Sequence, residues 1–344
     1  MSRGLLLAAG VALILRNYFG FSPLLILATL LLMSLCFLGN KSHAEQFTPI
    51  FQTEVASGLR WGVASVQGRR PHMEDMFQAV GLVDSPDEKS CTKAARLGLS
   101  HFFAVYDGHG GKAAAAWAVD RLLPNLLDTR PRASDDLATA LDEASVQAFL
   151  KTDREFLRHA ALNGMPDGST AVTCLLQPPA TPDGPRRLLV ANLGDSRVCV
   201  VRTDGSATAL SDDHKPNRPD ERLRVQAAGG VVVFAGCWRV QGNLAVSRAF
   251  GDSHCKPYGV SAEPELSRFD VADNDQFLVL ASDGLWDTVK PEAVADVVSH
   301  HSAPKAACEA LMAMAASGHS MDNITVVVSY LYTTTGGRRW CCCG

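Results

Sequence analysis

Several apolar runs in this chain break off in an acidic turn marked by glycine. His101–Tyr106 leads straight into Asp107-Gly108-His109-Gly110-Gly111, and Gln276–Ala281 leads into Ser282-Asp283-Gly284. Asp322 stands on the other side of such a junction, just before the run Ile324–Tyr332. Glu74-Asp75 follows the alternating strand Trp61–Gln67 after a basic stretch, Arg69-Arg70-Pro71-His72. Glycine lets the backbone turn sharply and brings its carbonyl close to a ligand. Further strand-like pieces follow one another at Thr170–Leu176, Arg187–Asn192, Ser196–Val201 and Val231–Phe234, with Gly194-Asp195-Ser196 as a hairpin turn between two of them. Helical periodicity marks Lys112–Leu127, where Pro124 predicts a kink or an early end, and Leu137–Leu157. Proline opens two more helices, Pro291–His300 and Pro304–Ala316, while Asp84–Gly98 and Gln177–Pro185 read as loops. Strands that come in runs, not in alternation with long helices, argue for an α+β fold of antiparallel sheets with helices packed outside.

Carboxylates gathered at strand ends repel one another unless a cation sits between them. An all-oxygen set suits hard ions such as Mg²⁺ and Mn²⁺, whereas zinc would call for histidine or cysteine. Two such ions a few ångströms apart can activate a water and clamp a phosphoryl oxygen. Each Asp-Gly taken singly is also an ordinary turn, and spacing alone does not bring the four segments together. Both readings stay open at this point.

The first forty residues have another character. Phe19–Leu38 carries no charge and is bracketed by Arg16 and Lys41. About 20 apolar residues in a helix cross the hydrocarbon core of a bilayer, so a single transmembrane helix over about 19–38 is expected, within an anchor at 1–44. Ser42-His43-Ala44 resembles a signal-peptidase site, but Arg16 would interrupt the apolar region. An organelle presequence gains from the absence of acids before Glu45 and loses because the segment is too apolar. At the other end, 334–344 closes in Arg338-Arg339-Trp340-Cys341-Cys342-Cys343-Gly344, a poor prenylation signal but a plausible target for palmitoylation beside a membrane. The formal net charge of −4 excludes a typical nucleic-acid binder. Seven of the ten cysteines are scattered singly with no CxxC pair, as expected of reduced, mostly buried thiols in a reducing compartment.

From about Arg60 to Leu331 the chain resembles the PPM family of metal-dependent serine/threonine phosphatases, the protein phosphatase type 2C group. The resemblance rests on motifs in the family's order. They are Arg70-Pro71-His72-Met73-Glu74-Asp75, Asp107-Gly108-His109-Gly110-Gly111, Gly168-Ser169-Thr170-Ala171, Gly194-Asp195-Ser196-Arg197 and Asp213-His214-Lys215-Pro216. Then come Leu244-Ala245-Val246-Ser247-Arg248, Gly251-Asp252, Ser282-Asp283-Gly284-Leu285-Trp286-Asp287 and Asp322-Asn323. The resemblance implies an α-β-β-α sandwich of two antiparallel sheets flanked by helices, occupying 45–333, with two Mg²⁺ or Mn²⁺ ions at one end. It implies that Asp107 bridges both ions, that the Gly108 carbonyl binds one, and that Asp283 and Asp322 hold the other. Glu74 would bind metal directly or through water, with Asp75 supporting it. A metal-bridging hydroxide would attack phosphorus, Arg70 would grip phosphate oxygens, and His109 would protonate the leaving oxygen.

Asp287 matches a position that in the family can approach a third metal. The acid expected to partner it is displaced by register to Asp167, so no third ion is assigned. Asp195, Asp213, His214 and Asp252 read as residues that stabilise the fold. The segment Lys215–Gly242 matches the family's variable flap, where Arg222, Arg224, Trp238 and Arg239 could either bind acidic phosphoproteins or pack the flap. A monomer acting on phosphoproteins at an endomembrane, with its catalytic domain in the cytosol, is the expectation. The alternatives are an inactive scaffold relative and a hydrolase of small phosphate esters. Retention of Glu74, Asp107, Asp283 and Asp322 speaks against the scaffold.

Overall fold

A computed structural model describes residues 50–331 except 57–58, 84, 86, 130–135, 180 and 182–183. The apolar segment over 19–38 and the cysteine-rich tail lie outside the described residues, and no helix among the described residues is long and apolar enough to cross a membrane.

Two antiparallel sheets form the centre. One runs in the order β1 (Ile50–Ala56), β2 (Leu59–Val66), β16 (Ile324–Tyr330), β15 (Asp275–Ala281), β9 (Arg197–Arg202), β10 (Ala207–Ala209). The other runs β14 (Glu265–Val271), β8 (Arg186–Leu193), β7 (Ala171–Gln177), β4 (His101–Tyr106), β3 (Met76–Gly81). A small sheet joins β13 (Phe250–Gly251), β6 (Gly168–Ser169) and β5 (Gly108–His109), and β11 (Val232–Ala235) pairs with β12 (Cys237–Val240) as a hairpin.

The strand sequences explain the layering. His101–Tyr106 is buried throughout, and successive side chains point to opposite faces. Phe103 and Val105 join Trp61, Val63, Val172, Val190, Leu280 and Val327 between the sheets. Phe102, Ala104 and Tyr106 face the other way, against α1 (Glu88–Arg96), α2 (Ala113–Asp128) and α3 (Leu137–Asn163). Val326, Val328 and Tyr330 likewise face away from Val327, against α5 (Asp283–Trp286), α6 (Pro291–Ser299) and α7 (Pro304–Ser317), whereas α4 (Pro219–Ala227) lies in the flap. Strands covered on both faces read as continuous apolar runs, a pattern commoner in parallel sheets. Here the helices on each outer face impose it on antiparallel strands, and the result is the four-layer sandwich.

Three local expectations need correction. The stretch over 84–98 contains α1, whose N-cap Asp87 accepts from the backbone N–H groups of Lys89 and Ser90. Only Ala94 of that helix is buried, and apart from Cys91, Ala94 and Ala95 its residues are polar, so no apolar run marks it in the sequence. Helix α2 continues through Pro124 to Asp128; burial of Leu122, Leu123, Leu126 and Leu127 outweighs the lost hydrogen bond, about 3 kcal/mol in an exposed helix. Helix α3 runs on to Asn163 and stops at Gly164, which takes the left-handed conformation that suits glycine after a helix.

Candidate metal centre and active site

Antiparallel pairing brings the acidic junctions to one end of the sandwich. Met76 pairs with Tyr106, so Asp75 before β3 lies beside Asp107 after β4. Ala281 pairs with Val326, so Asp283 after β15 lies near Asp322 before β16. The turn from β8 to β9 carries Asp195 to the same end. Asp107, Asp195 and Asp283 each present a carboxylate oxygen, all within 4.8 Å of one another.

The backbone of Asp107 is held by the neighbouring motif. Thr170 N–H and Ser169 Oγ donate to the Asp107 carbonyl at 2.9 and 3.2 Å, and Asp107 N–H donates to Thr170 Oγ1 at 3.1 Å. Thr170 Oγ1 is backed by Ser196 Oγ at 2.8 Å. Gly108 passes so close to the Glu74 carbonyl that a Cβ there would lie 2.5 Å from it. Behind Asp107, the buried Asp75 accepts from Ser282 Oγ at 2.7 Å, and its Oδ1 has no hydrogen-bond partner among the described residues.

Electrostatically the cluster is short of positive charge. Burial, then Asp75 and Asp283, hold the Asp107 carboxyl well above the usual range. Burial, then Asp195 and Asp322, do the same to Asp283, and burial pushes Asp75 up to about 6. Lys215 Nζ contacts Asp195 and offsets part of this charge. Three carboxylates and a glycine carbonyl offer a hard divalent cation its preferred oxygen donors, and a cation would relieve the repulsion that raises these groups.

The other predicted residues flank this cluster. Asp322 lies outside the close group, its Oδ2 paired with Arg70 at 2.5 Å and its Oδ1 accepting from Asn323 N–H at 2.8 Å. Glu74 is fixed through its backbone N–H, which donates to Asn323 Oδ1 at 2.8 Å. Asp287 is exposed. Asp167 is engaged elsewhere: its Oδ1 accepts from Ala113 N–H at 2.9 Å, at the first residue of α2.

Two residues read as purely structural stand in the site. Asp195 completes the carboxylate triplet. Asp252, buried and held at φ 49°, places Oδ2 2.7 Å from His109 Nε2. Burial works against a charged His109, but the hydrogen bond and charge of Asp252 raise it above the ordinary histidine range. Gly168 makes room for this pair, because a Cβ there would lie 2.1 Å from Asp252 Oδ2 and 2.2 Å from His109 Nε2. The remaining structural readings hold. Arg197 grips Asp213 through two nitrogens at 3.0 and 2.9 Å, and the buried His214 accepts from Gly194 N–H at 2.9 Å and lies 3.2 Å from Glu265.

Comparison with known proteins agrees with this geometry. A family model described as "Protein phosphatase 2C" matches residues 60–324. A rice protein (Oryza sativa subsp. japonica) named "Probable protein phosphatase 2C 56" is 41% identical over 271 residues, which cover 78% of this chain and 70% of the relative. A second rice protein, "Probable protein phosphatase 2C member 13, mitochondrial", is 42% identical over 270 residues, covering 78% of this chain and 68% of that one. The crystal structure of serine-threonine phosphatase 2C from Toxoplasma gondii superposes with a TM-score of 0.68 at 25% identity, covering 82% of this chain and 98% of that one. Motif order, sandwich and acidic end all agree, and the chain belongs to the protein phosphatase 2C family of metal-dependent serine/threonine protein phosphatases.

Proposed function

We propose that residues 45–333 form a catalytic domain that hydrolyses phosphoserine and phosphothreonine on protein substrates, with two Mg²⁺ or Mn²⁺ ions held at the acidic end of the sandwich. The observation that carries this reading is the meeting of Asp107, Asp195 and Asp283 within 4.8 Å in a buried setting that raises Asp107 and Asp283. Asp107, Asp195, Asp283, Asp322, the Gly108 carbonyl and Glu74 would hold the ions, with Asp75 supporting them. Bound there, the ions supply an activated water and positive charge facing the phosphoryl oxygens. No third ion is proposed, because Asp167 is committed to α2.

Arg70 binds the phosphate. Its side chain is half exposed and contacts Asp322 through one nitrogen, and a planar guanidinium fork can exchange that partner for phosphate oxygens. His109 is the general acid. With Nε2 committed to Asp252, Nδ1 is the nitrogen that can protonate the departing serine or threonine oxygen.

The flap favours proteins over small esters. Phe234 and Trp238 stack edge to face on the hairpin, with ring centroids 5.5 Å apart, and Arg222 lies over Trp238. Leu223 and Phe234 are about two-thirds exposed. Arg224, in contrast, packs the flap by binding Glu221, the Gly259 carbonyl and the Ser247 carbonyl.

The uncharged run Phe19–Leu38 anchors the chain in an endomembrane by a single pass, with the catalytic domain in the cytosol and Cys341–Cys343 available for palmitoylation. Carbonate extraction and protease protection on fractionated membranes, mitochondria included because one relative bears that word in its name, check this placement. A chain released by carbonate, or a protected catalytic domain, would refute it.

Activity is tested by phosphate release from a phosphothreonine peptide with Mn²⁺, with Mg²⁺ and with EDTA, beside Asp283→Asn. Release that requires the metal and collapses in the variant is expected. A folded, metal-supplied protein that releases nothing from the peptide would overturn the proposal.

A further inference from the structure

His109 is held through contacts that begin in a helix behind the small sheet. His109 pairs with Gly168 and Gly168 with Gly251, so the three lie in register across that sheet. Asp252, the residue after β13, reaches back to His109. Behind β13 stands α3. Its residues Phe149, Asp153 and Phe156 recur at four- and three-residue spacing, which puts them on one face. The ring of Phe149 stacks on Phe250, with centroids 5.3 Å apart. Phe156 packs so near Gly251 that a Cβ there would lie 2.9 Å from its ring.

Between those two phenylalanines in sequence stands a carboxylate where an apolar side chain would pack. Asp153 is 7% exposed, and a buried carboxylate is costly unless its oxygens are paired. Both oxygens are paired. Oδ1 accepts from the Gly251 N–H at 2.8 Å. Oδ2 lies 2.9 Å from Lys256 Nζ, which also donates to the Ala249 carbonyl at 2.8 Å. The strand is thus gripped on either side of Phe250. Beyond it the chain turns through two successive left-handed residues, Gly251 at φ 73° and Asp252 at φ 49°. A residue with a side chain keeps that conformation only where its surroundings fix it. Asp252 N–H donates to the Asp167 carbonyl at 3.1 Å, and the Asp252 carbonyl accepts from the Cys255 and Lys256 N–H groups at 2.8 and 3.2 Å. Lys256 therefore closes the turn with its backbone and ties it to α3 with its side chain.

With His109 as the general acid of the proposed reaction, on which this step rests, we propose that Asp153, braced by Lys256, is a positioning residue that sets the Gly251-Asp252 turn and so aims the His109 ring at the leaving oxygen. The effect passes from α3 through β13 to Asp252 Oδ2 and His109 Nε2, which lie 2.7 Å apart. Its loss slows proton donation and spares metal binding and attack on phosphorus.

The test compares two esters on the full chain with saturating Mn²⁺. A phosphothreonine peptide must expel an alkoxide, which needs a proton, whereas p-nitrophenyl phosphate expels a stable phenolate, which does not. Asp153→Ala should lower kcat on the peptide about 10- to 100-fold, the scale of a displaced acid, with KM little changed. Turnover of p-nitrophenyl phosphate should fall by less than about twofold. Lys256→Met, the gentler change, should show the same split at about three- to tenfold. With His109→Gln already in place, adding Asp153→Ala should slow the peptide reaction no further. In EDTA, amide exchange at Gly251 and Asp252 should quicken in both variants. Should Asp153→Ala not fold, Lys256→Met decides the comparison alone. With the original chain active, two esters slowed equally, effects of Asp153→Ala and His109→Gln that multiply, or unchanged exchange would each overturn the inference. An original chain that releases nothing from the peptide would instead overturn the proposed reaction, and this inference with it.

Discussion

Replacing Asp283 by asparagine should make the metal-free protein more stable while destroying its response to metal. Asp283 faces two other carboxylates at no more than 4.8 Å. At that distance two full charges repel by about 3.5 kcal/mol at an effective dielectric near 20. Lys215 offsets part of the contribution from Asp195. Burial and mutual repulsion hold Asp107 and Asp283 well above the usual carboxylate range, so proton uptake trims the remainder. About 2 kcal/mol of relief should survive at pH 7.5, or roughly 4–8 °C in melting temperature for a domain of this size. The assay is thermal unfolding of both proteins in EDTA and again in Mn²⁺. The original chain should gain about 2.7 kcal/mol from metal at a hundred times its dissociation constant, and the variant should gain almost nothing. The sign with pH follows from the raised carboxyls. Their protonated forms are favoured in the folded state, so their contribution is present at low pH and is lost as pH rises through the folded values. The gap between the two proteins in EDTA should therefore narrow at pH 5.5. An Asp283→Asn variant that melts at or below the original in EDTA, or that gains equally from Mn²⁺, would refute the reasoning.

Other consequences can be measured alongside. His214 accepts a backbone N–H and is pushed down to about 4, first by burial and then by Arg248; stability should fall by up to about 3 kcal/mol as pH drops from 6.5 toward 4, with a flatter urea-unfolding profile in His214→Gln. Glu221, fully buried against Arg224 and Arg248, should cost about 3–5 kcal/mol as Glu221→Ala, with faster hydrogen exchange across the flap, and unchanged exchange there would discredit its anchoring role. Asp252→Asn should move the alkaline limb of the activity profile to lower pH, because His109 loses the partner that raises it, and a stationary limb would remove His109 as the acid. Phe103→Ala, between the two sheets, should lose about 3–5 kcal/mol in denaturant titration with turnover per folded molecule preserved.

The parts of the site that were legible in the sequence share one trait: each acid abuts a run whose strand character is plain. Asp107 and Asp283 follow apolar strands directly, so a strand-end position follows from local pattern. Asp195 lies in a turn between two strands just as plainly, but nothing local tells a hairpin aspartate from a ligand. Its role emerges only when the β8–β9 turn reaches the end where β4 and β15 finish. Asp252 stands in the Gly251-Asp252 motif, but nothing local points to His109, because its value lies in one contact across the small sheet and in a positive φ set by its surroundings. The four-layer order was likewise more visible than its boundaries. Continuous apolar strands demand cover on both faces, whereas α1, polar but for Cys91, Ala94 and Ala95, offers no apolar run to mark it.

The place of β16 has a consequence for how the chain is made. This strand sits between β2 and β15 in the six-stranded sheet, yet it is the last described strand to leave the ribosome. Until Ile324–Tyr330 emerges, β2 and β15 each show the nascent chain an open edge ready to pair with a stranger. At about 5–20 residues per second, translation from Ala281 to Ile324 leaves that gap open for a few seconds. Asp322 arrives with the closing strand, so the acidic end and the sheet beneath it are completed together.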